Sequence, residues 1–96
     1  MRNEDISLNK TEEVFKALSH HTRMEILDLL DEREALGLYQ IADELEKNLK
    51  TIAEHCRRLT LAGLIEKEKK GRDVLHRLTF LGKGMLTIAR RTKELF

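Results

Sequence analysis

The stretch from Leu38 to Ile65, LYQIADELEKNLKTIAEHCRRLTLAGLI, most narrows what this chain can become. It holds two helical patterns in quick succession. The first, over about Gln40–Leu45, turns Ile41, Ala42 and Leu45 inward. Glu46 and Lys47 form a connection and Asn48 is placed to cap the next helix. That helix, about Leu49–Ala62, puts Leu49, Ile52, Cys56 and Leu59 at offsets of three, four and three, the repeat of a single buried face. Gly63 stands where a glycine commonly ends a helix. Two helices joined this tightly must cross at a steep angle, and the outer face of the second is then held away from the body of the domain.

The flanking sequence supplies the rest of a small domain. Asn9 or Thr11 can cap a first helix running to Leu18, with Val14, Phe15 and Leu18 on one side. Residues 1–8 read as a loose arm. Ser19 can cap a second helix, His20 to about Asp31, whose Ile26, Leu27 and Leu30 form an apolar stripe. Residues 32–37 are a connection, and Leu38 and Tyr39 can add a short strand. Leu64–Lys70 and Val74–Leu78 read as two strands with Gly71 in the turn between them. Thr79 can cap a last helix to Leu95, along which Leu81, Met85, Ile88, Thr92 and Leu95 make a seam suited to another helix. The expected architecture is mainly α with a small β-hairpin wing, in the order α-α-α-α-β-β-α. This is the plan of a winged helix-turn-helix, here one domain over residues 1–96.

Composition excludes several alternatives. The chain is 41% hydrophobic and 36% charged, which suits a globular fold rather than a disordered one. No apolar run approaches a membrane span, and the polar N-terminus lacks the core of a signal peptide, so a cytoplasmic location is the default. The single cysteine, Cys56, cannot form an internal disulfide. The net charge of +1 conceals a segregation: residues 1–49 carry −6, residues 50–77 carry +4 and residues 78–96 carry +3. Such separation is an electrostatic footprint of nucleic-acid binding, although helical surfaces are charged in any case.

The fourth helix supplies a mechanism. With its apolar face inward, Lys50, Glu54, Arg57, Arg58 and Leu61 point outward, flanked by Thr51 and His55. Arginine and lysine donate to guanine edges and phosphates, threonine meets either, and glutamate accepts from cytosine. The N-terminal part of such a helix faces the bases. Lys50, Thr51 and Glu54 are therefore assigned to base reading, and Arg57 and Arg58 mainly to phosphates. Glu54 has a second role open to it, holding Arg57 or Arg58 at helical spacing, and this is slightly favoured. In the hairpin, Lys69, Lys70, Arg72 and Arg77 form a wing able to reach the backbone or minor groove. A merely solubilising charged hairpin is the rival reading.

These residues resemble the ArsR-like branch of winged-helix regulators. Ala17–Leu27, Ile41–Leu45, Ile52–His55, Leu59–Ile65, Gly71-Arg72 and His76–Thr79 match its signature, over about residues 12–90. MarR-like regulators are the nearest confusion. The resemblance implies a homodimer built from the first and last helices, here through Val14, Phe15, Leu81, Met85, Ile88 and Leu95, usually acting as a transcriptional repressor. It also brings a contrast. Metal-sensing relatives place a Cys-x-Cys pair where this chain has Gly37 and Tyr39, and a second site on the last helix retains only Glu94. His20 and His21, and His55 and Cys56, are adjacent pairs ill suited to converge on zinc. His76 reads as a packed histidine. No metal and no cofactor are expected, and any effector is unidentified.

No phosphate loop, metalloprotease motif or nucleophile–base pair supports an enzyme. The leading expectation is a sequence-specific regulator of double-stranded DNA. The alternative is a winged helix used to bind protein, with Leu61 as its exposed anchor. Single-stranded or RNA binding lacks the aromatic platform it needs.

Overall fold

A computed structural model of the chain describes residues 3–96, with side chains described from Leu8 onward. The elements are α1 (Asn3–Leu18), α2 (His21–Arg33), β1 (Ala35–Leu36), α3 (Leu38–Leu45), α4 (Leu49–Leu61), β2 (Ile65–Lys70), β3 (Asp73–Leu78) and α5 (Phe80–Lys93). The expected faces converge on one core. Ile26, Leu27 and Leu30 of α2 meet Ile41 of α3 and Ile52, Cys56 and Leu59 of α4, all inaccessible or nearly so. Leu64 and Ile65 close the core beneath the hairpin, and Met85 and Leu86 close it from α5. Each fully buried large side chain contributes about 1.5–3 kcal/mol relative to exposure.

Several boundaries differ from expectation for identifiable reasons. The backbone is helical from Asn3, so residues 3–8 extend α1 and Asn9 is not its cap. Neither glycine nor proline interrupts that stretch. The N-cap of α2 is His20 rather than Ser19: its Nδ1 accepts from the Thr22 amide at 3.1 Å. The Ser19 hydroxyl instead donates back to the Lys16 carbonyl at 3.1 Å.

The extra strand is Ala35–Leu36, not Leu38 and Tyr39, and it pairs with Arg77 and His76 of β3. The wing is thus a three-stranded antiparallel sheet in the order β1-β3-β2. Gly37, extended at φ −79, follows it as the N-cap of α3, and Gln40 Oε1 accepts from its amide at 2.9 Å. That cap draws Leu38 and Tyr39 into the helix.

Two local devices fix the ends of the motif. Glu46, at φ 53 in the left-handed region, turns the chain out of α3. Asn48 Oδ1 then accepts from the amides of Lys50 (2.8 Å) and Thr51 (3.3 Å) and starts α4. After α4, Gly63 at φ +80 turns the chain toward β2.

Across the domain, Thr79 Oγ1 donates to the Gly63 carbonyl (2.6 Å) and accepts from the Gly82 amide (3.0 Å), locking the start of α5 against the end of the motif. Gly82 lies so close that an added Cβ would stand 1.9 Å from the Leu64 carbonyl oxygen. At the far end of α5, Arg90 reaches Asp28 and also Asp31 (3.0 Å), tying α5 to α2. Among the described residues no helix is long and apolar enough to cross a membrane.

Gly82→Ala forces α5 off Leu64 and is expected to cost about 1–3 kcal/mol in urea unfolding. Asn48→Ala, which leaves two amides of α4 without their cap, is expected to cost about 1 kcal/mol by the same measurement.

Candidate nucleic-acid interface

The buried face of α4 leaves Lys50, Thr51, Glu54, Arg57, Arg58 and Leu61 exposed on the other side. The first turn of α4 carries no acidic residue, so the positive end of the helix is not neutralised there. Lys50 makes no ion pair among the described residues, and its ammonium is free at that end.

Glu54 takes the second of its two roles. Its carboxylate accepts from Arg57 Nε at 2.9 Å and from a terminal nitrogen of Arg57 at 2.7 Å, a two-pronged contact. It also accepts from Arg58 Nε at 3.2 Å. The hydrogen bonds from Arg57 lead in holding its pKa down at about 2, with the charges of Arg57 and Arg58 adding to them. Arg57 is raised in turn by the same contact. The trio carries one net positive charge and presents two oriented guanidinium groups. Three of the carboxylate's roughly four acceptor positions are taken by the two arginines.

His55 departs from the expected picture. It is half-buried against α2, its ring centroid 4.4 Å from that of His20. Burial leads in lowering its pKa, with His20 and Arg23 adding repulsion, so the imidazole is neutral at pH 7 and brings no charge to a phosphate. Thr51 and Arg58, on the same flank, remain exposed.

The wing carries its cations toward its tip. Gly71 at φ +62, followed by Arg72 at negative φ, makes the two-residue turn with the pattern of type II′. Lys69, Lys70 and Arg72 are exposed there and make no ion pairs among the described residues. Arg77 lies further back, where it donates to Glu68 on β2 at 2.9 Å, so its charge is already matched. His76 is the packed histidine expected from its strand position, 2% exposed and lowered in pKa chiefly by burial. Val74, two residues earlier on the same strand, is exposed.

The residues assigned to dimerisation divide into two groups. Val14 and Met85 are buried in the chain's own core, which α1 and α5 each reach separately. Phe15 on α1, Leu81 and Ile88 on α5, and Leu95 just past its end remain exposed. Leu8, one heptad before Phe15, joins them. The inner side of the α5 seam thus packs within the chain, and its outer side is left uncovered.

Cys56 is buried, and desolvation pushes its thiol up to about 11, which makes it filler rather than a nucleophile. Among the described residues no three His, Cys, Asp or Glu side chains gather as a metal cage.

Sequence reasoning did not assign Arg23. This residue of α2 lines a cleft with Lys16 of α1 and Arg57 and Arg58 of α4. The sequence gives no local signal for it, because the four cations meet only through the packing of three helices.

Comparison with known proteins agrees with this geometry. Residues 18–80 match the family model HVO_A0114. The uncharacterized HTH-type transcriptional regulator MJ1325 of Methanocaldococcus jannaschii is 40% identical over 62 residues, 65% of this chain and 70% of that protein. Among solved structures, the homodimeric winged helix-turn-helix DNA-binding domain of Mb0332 from Mycobacterium bovis superposes with a TM-score of 0.87 at 23% identity. The match covers 98% of this chain and 87% of that one, and it establishes the fold. An ArsR-like transcriptional regulator from Rhodococcus sp. RHA1 is 33% identical at a TM-score of 0.74, covering 93% of this chain and 85% of that one. The chain belongs to the HVO_A0114 family and to the ArsR-like winged helix-turn-helix transcriptional regulators.

Proposed function

We propose that this chain is a sequence-specific, double-stranded-DNA-binding repressor that acts as a homodimer. The observation that carries the reading is the set of exposed cations on the outer face of α4, together with the exposed cations at the tip of the wing, unpaired among the described residues. On this reading α4 lies in the major groove with Lys50 and Thr51 at base edges, Arg57 and Arg58 on phosphates, and Glu54 aligning both arginines. Lys69, Lys70 and Arg72 grip the backbone or minor groove, with Arg77 supporting them. The homodimeric state of the Mycobacterium relative supports the dimer. So do the uncovered apolar residues Leu8 and Phe15 on α1, Leu81 and Ile88 on α5, and Leu95 just past its end. Covering this apolar surface across a two-fold axis would enlarge the core of a domain of only 96 residues.

The exposed Leu61, at 67%, favours a second reading in which the same face binds protein. A pull-down that retains one protein partner after nuclease treatment, from a chain that binds no duplex, would establish that reading in place of the first.

Selection from a random duplex pool should return a palindrome with half-sites about 10 base pairs apart. About eight phosphates neutralised per dimer give a log–log salt slope near −7; a slope near zero would defeat the proposal. Arg57→Ala with Arg58→Ala should weaken binding to all duplexes alike, whereas Lys50→Ala or Thr51→Ala should shift preference between sequences.

The Glu54 carboxylate sits at about 2, below its ordinary 4.5, so its pairing is complete above 4.5 and is lost only as the pH falls toward 2. Near neutral pH, Glu54→Gln should raise affinity for random duplex and reduce discrimination, because a repelling charge and the alignment of both arginines go together.

Ile88→Glu should convert the protein from dimer to monomer in light scattering while leaving the far-UV circular dichroism of the fold intact. A wild-type monomer at micromolar concentration would remove the dimer and the paired half-sites together.

A further inference from the structure

We infer that Arg23 is a phosphate-contacting residue, and that the cleft between α1, α2 and α4 receives the DNA backbone on that flank of the recognition helix. The inference rests on the DNA-binding reading and adds to it a contact outside both the helix-turn-helix and the wing.

The cleft is lined by Glu13, Lys16 and Ala17 of α1, Arg23 of α2, and Arg57, Arg58, Leu61 and Ala62 at the end of α4. Its four cations, Lys16, Arg23, Arg57 and Arg58, outnumber the three carboxylates that line the cleft or pair with them, Glu12, Glu13 and Glu54. Lys16 is paired with Glu12 at 3.0 Å, and Arg57 and Arg58 share the single carboxylate of Glu54. Arg23 has no ion pair among the described residues, and its Nε is buried without a hydrogen-bond partner.

A half-buried guanidinium that donates to nothing is costly, and native structures seldom leave one so. Burial leads in lowering the pKa of Arg23, Arg58 adds repulsion, and the Glu54 carboxylate offsets part of both. No carboxylate in the first turn of α2 offsets this. The buried Nε–H of Arg23 faces a cleft lined by further cations, a setting that suits an anionic acceptor.

Continuity decides which anion fits. Arg57 and Arg58 belong both to the cleft and to the outer face of α4, so a strand passing along that face brings its phosphates to the mouth of the cleft. A phosphate there could accept from Arg23 and Arg58 together and relieve their mutual repulsion. The floor contributes Ala17, Ala62 and Leu61, too little apolar surface to enclose the tail of an amphipathic molecule. The site is suited to an anionic group on a long polymer that is already held elsewhere.

The test uses the full chain and a duplex carrying the selected half-sites, with neutral methylphosphonates substituted singly along each strand. Wild-type protein should lose about tenfold or more in affinity at one flanking position per half-site, and Arg23→Gln should be insensitive at that position alone. Arg23→Gln should also flatten the salt slope of the dimer by about 2, equally for all sequences, while Arg23→Lys restores most of it.

The side-chain Nε–H resonance of Arg23 in wild-type protein gives a readout that needs no variant. It should shift on adding duplex and fail to shift with the methylphosphonate at that position. Were Arg23→Gln to keep the wild-type slope and methylphosphonate profile, or the resonance to stay still with duplex bound, the inference would fail while the DNA-binding reading stood. Absence of duplex binding by the wild type would overturn both. A shift produced equally by inorganic phosphate, with no methylphosphonate-sensitive position, would assign the cleft to a free anion and also overturn the inference.

Discussion

Burial of the inner face of α4 on α2 and α3 is the constraint from which the rest of the molecule follows. Ile52, Cys56 and Leu59 are inaccessible or nearly so, packed among Ile26, Leu27, Leu30 and Ile41. Their burial fixes the rotation of the helix about its axis. Once that is set, helical geometry leaves no choice about the opposite side: Lys50, Glu54, Arg57, Arg58 and Leu61 must face outward. A rotation large enough to hide the cations would expose three core side chains, at about 1.5–3 kcal/mol each, against ion pairs worth about 1 kcal/mol or less at the surface. Apolar packing therefore orients the charged face, and the charged residues are free to serve something other than stability.

Glu54 illustrates that freedom. As a surface pairing its contribution to folding is small, and a carboxylate in the middle of a cationic face lowers the attraction for any polyanion. Its geometry gives an account of why it is there. Two arginines on flexible stems lose side-chain entropy on docking, and a carboxylate that already holds both reduces that loss. Long-range attraction is weakened while short-range orientation improves, a balance that favours discrimination between sequences over indiscriminate binding.

How far the amino-acid sequence disclosed all this depends on how local the cause was. The faces of α2 and α4 were legible because each follows the helical period, and the Asn48 cap because its side chain serves the amides two and three positions further on. The strand Ala35–Leu36 was not, since two residues have no period and their conformation comes from pairing with Arg77 and His76, some forty positions away. The choice of His20 over Ser19 at the start of α2 involves a ring that also packs, tilted, against His55 of α4. The seam of α5 was legible as a heptad, but a heptad alone cannot divide Met85, buried within the chain, from Leu81 and Ile88, which are left outside. Arg23 was the least legible, because its surroundings come from three separate helices.

The second helix connects these pieces. Its inner stripe supports α4, and on its far side Asp28 and Asp31 hold Arg90 while Asp31 also meets Lys83 at 3.1 Å, so α5 is bound to the same rod. At the other end of α5, the contact of Gly82 with Leu64 and the hydrogen bonds of Thr79 join it to the exit of α4. The recognition helix and the helix proposed to form the dimer are thus linked at two points, through α2 and through the Gly63–Leu64 turn. A bundle joined at both ends resists independent movement of either helix. In a dimer sharing the outer stripe of α5, the distance between the two recognition helices would then be set by the pairing of α5 across the two-fold axis. A signal that shifts that pairing would alter the fit to both half-sites at once without touching a single DNA-facing residue.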